Sequence, residues 1–377
     1  MAERPAPLVL VVDPATLPDP PFGSYVAVAR TGQALLAAEL SQRLAAQGAA
    51  VARLPAKPPQ PDGAFRWGRW FAAAAADALA AAGGTLDAIG YASPGALALA
   101  DETSLDTLLS PVAGEVVANN RYSADAFVVA GDLDAALAAL RTAESDNGAV
   151  RRLEEAGFRS RDLRGRPWSR FDVDTPLDLA LLRLATRLPG TRAVDHSVRG
   201  LGEMARLPDG RALEVPHLEA IGAVLRDQRG ELLVAGRVPA ATLTYLESET
   251  ACRVRAFVEE RGMRAARGPG PRSLLAAWAQ RLGPADLVGE LASLADAVIV
   301  DSRVVMAALA GSADAASWPP PEERFASDFS DVQRVGTPWL RELTEAAANA
   351  SVPVLLGGHA LVSDGLQLLT EAAWLGR

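Results

Sequence analysis

The sequence is poor in several residues on which common enzyme chemistries depend. Its single cysteine, Cys252, excludes an intrachain disulfide and a thiolate metal cluster. The only lysine, Lys57, lies in a proline-rich stretch, which argues against a phosphate-loop lysine and against a Schiff-base site. His196 and His217 are isolated in loop-like sequence, so they do not indicate a metal site. These shortages limit the expected chemistry to other side chains.

Long apolar runs and a basic surface are also missing. No apolar run approaches the roughly 20 residues that span a bilayer, and the N-terminus lacks the basic-then-apolar pattern of a signal peptide. The formal net charge of −9 argues against nonspecific binding to nucleic acid, which requires many cations. We therefore predict a soluble, cytoplasmic protein that binds neither nucleic acid nor membranes. Homo-oligomerisation is an open alternative.

Short apolar runs alternate with helical patterns along the whole chain, which is typical of an α/β fold. The length of 377 residues favours two domains. We predict two α/β domains with mainly parallel sheets, residues 1–190 and 191–377, joined in a turn-rich stretch at 187–200. A strand pair is expected around 114–131, and the segment 240–262 is predicted to be one long helix.

The segment "RFDVDTPLDLALLRLA", residues 170–185, has two interpretations. Strand alternation puts Asp172 and Asp174 on one face, and Thr175 with Asp178 has the spacing of a helix capping box. This local structural account explains every residue of the segment. Alternatively, two carboxylates at the carboxyl end of a strand, beside a helix N-terminus, would hold Mg²⁺ against a diphosphate.

Three stretches together resemble the GT-A-type nucleotidyltransferases, a nucleotide-diphospho-sugar transferase fold, and within them the molybdenum cofactor guanylyltransferase-like group. They are "IGYASPGALALADETSLDTLL" (89–109), "EVVANNRYSADAFVVAG" (115–131) and "FDVDTPLDLALL" (171–182). The resemblance implies a GT-A-like first domain that acts on a nucleotide or sugar-phosphate-like ligand with Mg²⁺. It also implies Asp172 and Asp174 as metal-binding and catalytic residues.

Two parts of the family's phosphate chemistry are absent from this sequence. The loop after the first strand carries four prolines and no lysine, although proline removes the N–H donors that a phosphate cradle needs. Where the family has a metal-binding aspartate after its central strand, this chain reads Tyr91-Ala92-Ser93-Pro94. The domain is therefore either a relative that has lost catalysis or one whose site is rebuilt with other residues.

The stretch "ANNRYSAD" supplies the candidates for a rebuilt site. It packs amide, guanidinium, hydroxyl and carboxylate groups into seven residues: Asn119, Asn120, Arg121, Ser123 and Asp125. Such polarity is expensive to bury without partners. We expect these residues to position substrate, with Asp125 as a further catalytic candidate. A solvated turn between two strands is an equally good interpretation.

Polar clusters also follow three predicted strands of the second half. Because the carboxyl ends of parallel strands meet at one edge, these groups are expected to converge. They are Arg237, Asp301, Ser302, Arg303, Gly357, Gly358, His359, Ser363 and Asp364. A pair of arginines beside a glycine turn suits a small anionic ligand, and residues 324–329 are expected to form a mobile segment over the crevice.

A hydrolase is the remaining alternative for the second half. It would use Ser302 or Ser363 as nucleophile, His359 as base, and Asp301 or Asp364 as the partner of that base. No G-x-S-x-G elbow accompanies these serines.

Overall fold

The computed structural model describes residues 6–14, 24–55, 66–83, 86–163, 168–188, 206–260 and 270–375. The chain divides into two compact units. The first contains residues 1–19, 30–174 and 191–201, and the second contains 20–29, 175–190 and 202–377. Lys57, His196 and most of the predicted boundary at 187–200 lie outside the described residues.

The first unit is built on a six-stranded sheet with the strand order β2-β1-β3-β5-β4-β6. Its strands are β1 (Leu8–Val12), β2 (Ala50–Leu54), β3 (Ala88–Ala92), β4 (Glu115–Ala118), β5 (Ala126–Ala130) and β6 (Arg159–Asp162). β5 runs antiparallel to both of its neighbours, whereas the other neighbouring pairs are parallel. This confirms the predicted α/β class, and β4 with β5 forms the predicted strand pair.

Helices cover both faces of this sheet. Its central strands carry apolar residues on each face, so both faces must be buried. The helices are α1 (Tyr25–Ala46), α2 (Trp67–Ala81), α3 (Glu102–Leu108), α4 (Leu133–Leu140) and α5 (Ala149–Glu155). Leu10 packs in the cluster that includes side chains of α2, α4 and α5. Val9, one position earlier, packs in the opposite cluster with α1 and α3. The sheet is therefore buried on both faces.

The second unit contains a four-stranded, fully parallel sheet with the order β10-β9-β7-β8. The strands are β7 (Glu231–Gly236), β8 (Arg253–Val258), β9 (Ala297–Asp301) and β10 (Val354–Gly357). The helices are α6 (Pro176–Ala185), α7 (Leu218–Arg226), α8 (Ala240–Glu249), α9 (Leu274–Leu282), α10 (Pro284–Ala292), α11 (Ser302–Ala310), α12 (Pro321–Asp328), α13 (Pro338–Ala348) and α14 (Leu366–Leu375). Strand order reverses between β7 and β9, which is where open α/β sheets bind ligands.

The first turn of α1 is anchored within the second unit. The Glu322 carboxylate accepts hydrogen bonds from the backbone N–H groups of Tyr25 and Val26, each at 3.0 Å. The Tyr25 hydroxyl donates to Asp331 at 3.1 Å, and its ring stacks on Phe329. Because α1 has no acidic residue in its own first turn, Glu322 supplies the negative charge that a helix N-terminus favours.

The structure corrects several sequence predictions. The segment 240–262 is not one helix, because α8 ends at Glu249 and β8 follows. Residues 171–174 lie outside the sheet rather than forming a strand. Residues 324–329 are not a mobile segment: most of them belong to α12, and Arg324 to Phe329 are buried. None of the described helices combines the length and apolar character that crossing a membrane requires.

Candidate functional site

Tyr91, in β3 of the first unit, is influenced by the charges of three aspartates. Its hydroxyl donates a hydrogen bond to Asp146 at 3.3 Å. Burial raises the pKa of Tyr91 well above its ordinary value, and the negative charges of Asp146, Asp125 and Asp172 raise it further, while a side-chain hydrogen bond with Trp67 opposes the shift. The phenol therefore stays protonated at neutral pH and acts as a donor among these acids. Asp146 is not among the site residues predicted from the sequence, but it is the carboxylate that the Tyr91 hydroxyl contacts.

Asp172 is held beside the end of β3 by its neighbours in the chain. Its Oδ1 lies 3.5 Å from the Ser93 hydroxyl. The next residue, Val173, donates its N–H to the Gly95 carbonyl at 3.3 Å and accepts a hydrogen bond from the Gln33 side chain at 2.9 Å. A Cβ on Gly95 would lie 2.3 Å from the Val173 carbonyl oxygen. Only glycine permits this approach, which positions Asp172.

Asp174, the second predicted metal ligand, has a different electrostatic partner. It is exposed, and its charge raises the pKa of the half-buried Arg30 guanidinium, which burial lowers more strongly. Asp172 instead acts on Tyr91. Within the described ranges, no group of three aspartate, glutamate, histidine or cysteine residues is arranged to hold a metal ion. A cation bound here would therefore need further oxygen ligands from its substrate and from water.

The predicted capping box at the start of α6 is confirmed. The Thr175 hydroxyl accepts from the Asp178 N–H at 3.2 Å, and the Asp178 carboxylate accepts from the Thr175 N–H at 2.9 Å. Pro176 occupies the first helical turn, where its missing N–H costs nothing. Helix initiation therefore uses Thr175 and Asp178, and it makes no demand on the carboxylate of Asp172.

The stretch 119–125 is the loop of the β4–β5 hairpin. The buried Asn119 side chain closes it by accepting from the N–H groups of Asp125 and Ala126, at 3.1 and 3.0 Å, and by donating to the Asp125 carboxylate at 3.4 Å. Asn119 thus has a structural role. It also fixes Asp125 beside Ser93, whose N–H donates to the Asp125 carbonyl at 2.8 Å.

The remaining residues of the loop make their own polar contacts. The Asn120 side chain accepts from the Tyr122 N–H at 3.2 Å. The Ser123 hydroxyl donates to Asn147 at 2.6 Å, and Arg121 pairs with Glu154 at 2.8 Å on the surface. The loop is therefore the turn between two strands that one of the two interpretations predicts, and its inner end carries Asp125.

In the second unit, the predicted groups at the ends of β7 and β9 neutralise one another. The Arg237 guanidinium donates two hydrogen bonds to the completely buried Asp301 carboxylate, at 2.6 and 3.0 Å. Burial alone would raise the pKa of Asp301, but the charge and hydrogen bonds of Arg237 hold it below its ordinary value. Gly236 has φ +130° and a Cβ there would lie 2.3 Å from the Asp301 Cβ, so glycine is required.

Arg303, predicted to bind an anionic ligand, is engaged by a carboxylate of the protein itself. Its guanidinium donates to Asp328 of α12 at 2.8 and 2.5 Å, and to the Ser302 hydroxyl at 3.0 Å. The Ser302 hydroxyl in turn donates to the Gly357 carbonyl at 3.2 Å. Asp328 was not singled out from the sequence, in which an aspartate on a helix is ordinarily assigned to the surface.

The predicted hydrolase residues lie in the same region without forming a nucleophile–base pair. The Ser363 hydroxyl donates to the His359 carbonyl at 2.8 Å, and the Ser302 hydroxyl is directed to a carbonyl of β10. Nucleophilic catalysis needs the hydroxyl to donate to a basic side chain instead. Gly358 packs against the Arg303 side chain, and Asp364 lies in the turn 361–365 before α14. His359 is close enough to Asp301 to help lower the pKa of that carboxyl.

In the first unit, carboxylate, hydroxyl and amide side chains therefore lie near the end of β3. Neither protein-family models nor curated proteins give a match to this chain.

Proposed function

We propose that the first unit binds a nucleotide or sugar-phosphate-like ligand together with Mg²⁺ at the end of β3. The observations that support this most directly are the hydrogen bond from the Tyr91 hydroxyl to Asp146 and the nearby negative charges of Asp125 and Asp172. Carboxylate oxygens are ligands that a hard divalent cation prefers. The location also agrees with the general rule that α/β sheets bind ligands beyond the carboxyl ends of their strands.

Mg²⁺ suits this donor set because it usually takes one or two carboxylates and completes its octahedron with phosphate oxygens and water. Asp172 and Asp125 are the residues we assign to the cation. Asp174 faces Arg30, so we assign it to the rim, where it would orient that arginine. Arg121 and Asn120 in the hairpin loop are available to contact the ligand.

The activity that we propose is ligand binding. Nucleotidyl transfer would in addition require another segment to replace the missing phosphate loop. The sequence after β1 is rich in proline and lacks lysine, which removes two of the groups that stabilise a transferred phosphate. Mg²⁺-dependent binding is therefore the property to measure first.

The test is calorimetric titration of the full chain with nucleoside triphosphates and nucleotide-sugars, with Mg²⁺ and with excess chelator. We expect binding that requires Mg²⁺ and that is lost in Asp172→Asn and in Asp125→Asn. Asp106→Asn, an exposed position on α3, makes the same change of charge and is expected to bind like the wild type. Binding that is indifferent to chelator, or equal losses in all three variants, would contradict the proposal.

A further inference from the structure

The second unit contains a cavity of about 810 Å³ that lies apart from the sheet-end residues described above. Its walls come from the last turns of α6, the segment 213–217, the first turn of α7 and the end of α14. A volume of this size is within the range of small-molecule sites in proteins, roughly 300–1,000 Å³.

The walls are rich in positive charge, although the chain carries a net charge of −9. Arg183, Arg187 and Arg226 line the cavity together with two acidic residues, Glu214 and Glu219. An excess of guanidinium groups in a concave site raises the local concentration of anions.

The positive charges of neighbouring arginines act on Arg183. Burial lowers the pKa of its guanidinium, and Glu214 opposes that shift, but the like charges of Arg187 and Arg206 lower the pKa further. Like-charged groups held this close disfavour one another, and an anion placed between them removes the penalty. An anion bound between Arg183 and Arg187 would offset the repulsion between these two guanidinium groups.

Two of the guanidinium groups are held in place by the backbone. Arg183 donates to the Leu213 carbonyl, and Arg226 donates to the Ala373 carbonyl. Anchored donors lose little side-chain entropy when a ligand arrives. Arg187 lies two residues beyond the end of α6 and is exposed, so its guanidinium is accessible to a ligand.

The rest of the cavity wall is apolar. Leu184, Leu213 and Val215 face it beside the arginines, and each of the three is buried within the second unit. These side chains expose little surface, but together with the alanines of the wall they give the cavity an apolar side. A ligand with an anionic head and an apolar body would cover both parts.

The backbone at the mouth of the cavity is also distinctive. His217 lines the cavity and precedes α7 with a left-handed conformation, φ 56° and ψ 20°, which is uncommon for a residue other than glycine. Its side chain does not cap the helix. The first N–H groups of α7 therefore lie at a site that already favours anions.

We propose that this cavity binds a small organic anion. Its carboxylate or phosphate group would pair with Arg183 and Arg187, and its apolar part would pack on Leu184, Leu213 and Val215. Arginine is suited to this task because its planar guanidinium donates two parallel hydrogen bonds to either group.

The test is calorimetric titration of the full chain with phenyl phosphate, benzoate and the uncharged benzyl alcohol, with inorganic phosphate as a fourth probe. We expect at least one aromatic anion to bind, more tightly than inorganic phosphate, with an affinity that falls as salt concentration rises. The arm that binds distinguishes phosphate from carboxylate recognition. Binding of benzyl alcohol with equal affinity would overturn the proposal, as would the absence of binding by both aromatic anions.

Variants then locate the site. Arg187→Gln removes an exposed guanidinium and is expected to weaken binding about tenfold, the worth of one charge-assisted contact. Arg281→Gln, in the exposed last turn of α9, makes the same change of charge away from the cavity and is expected to leave the affinity unchanged. Equal effects of both variants would overturn the assignment. Asp172→Asn is expected to bind the anion normally, which separates this proposal from the one for the first unit.

Discussion

The Arg303 guanidinium and the Asp328 carboxylate form a bidentate ion pair in the interior of the second unit. The donor–acceptor distances are 2.8 and 2.5 Å, and both residues are buried. Burial raises the pKa of the Asp328 carboxyl, and the facing Arg303 opposes that shift. A buried pair of this kind contributes little to stability as a pair, but removing one partner leaves the other charge desolvated.

Replacing Asp328 by alanine is expected to destabilise the protein by about 3–5 kcal/mol, because the Arg303 charge then lacks a partner in the interior. The free energy of unfolding is measured by urea denaturation. The double variant Arg303→Met/Asp328→Leu removes both charges and is expected to recover most of the loss. For comparison, Glu155→Gln breaks the exposed Arg152–Glu155 pair and is expected to cost less than about 1 kcal/mol. Similar losses in Asp328→Ala and the double variant would contradict this account.

The Arg237–Asp301 pair predicts a pH dependence of stability. Arg237 keeps the pKa of Asp301 below its ordinary value, so the ionised pair stabilises the folded state fully above the unfolded pKa of about 3.9. That contribution is lost as the pH falls through the lower, folded pKa. We expect the difference in unfolding free energy between the wild type and Asp301→Asn to be constant from about pH 5 to pH 7 and to shrink below about pH 4. A difference that is unchanged at pH 2 would show that the charge of Asp301 is not responsible.

The capping box at α6 predicts a separate loss of stability. Thr175→Ala removes the hydroxyl that accepts the Asp178 N–H, and it is expected to lower the free energy of unfolding by about 1 kcal/mol. Thr175→Ser keeps the accepting oxygen and is expected to retain most of the stability. Asp172→Asn leaves the capping box intact, so a loss of stability as large as that of Thr175→Ala would mean that Asp172 has a structural role instead.

The contact of Gly95 with Val173 predicts an effect on both stability and binding. In Gly95→Ala, the new Cβ would meet the Val173 carbonyl oxygen at 2.3 Å, so the segment that carries Asp172 must move. We expect a destabilisation of about 1–3 kcal/mol together with weaker Mg²⁺-dependent nucleotide binding. Gly289→Ala, in α10 with nothing within 4 Å of the added Cβ, is expected to stabilise the protein by about 0.5–1 kcal/mol. Binding and stability that are both unchanged in Gly95→Ala would contradict the proposed packing.

The fold was predictable where the apolar residues recur at one regular spacing, either that of a helix or that of a strand. The apolar runs of β4 and β5, separated by seven mostly polar residues, correctly indicate a strand pair, and the spacing of Thr175 and Asp178 correctly indicates a helix start. The prediction failed at β8, where the apolar period changes from helical to alternating after Thr250 without a glycine or proline to mark the break. β6 was missed because its residues, RSRD, are all polar, and it forms only by pairing with β4 at the edge of the sheet.

The candidate sites were predictable in position more than in detail. The rule that strand ends converge correctly brings Arg237 next to Asp301. It does not reveal that these two charges neutralise each other, because pairing depends on side-chain geometry across 64 residues of chain. The contribution of Asp146 was hidden by its ordinary turn sequence. Two of the cavity arginines, Arg183 and Arg226, lie on helices, where an arginine in a sequence is usually assigned to the solvated surface.

The anchoring of the first turn of α1 by Glu322 has a consequence for how this protein can be cut into pieces. A fragment that stops near residue 190 would keep Tyr25 but lose Glu322 and Asp331, the two acids that hold it. It would also carry α6, a helix that belongs to the second unit, without the rest of that unit. A cut near residue 190 would therefore divide the second unit itself, and segments from both sides of the cut are needed to complete it.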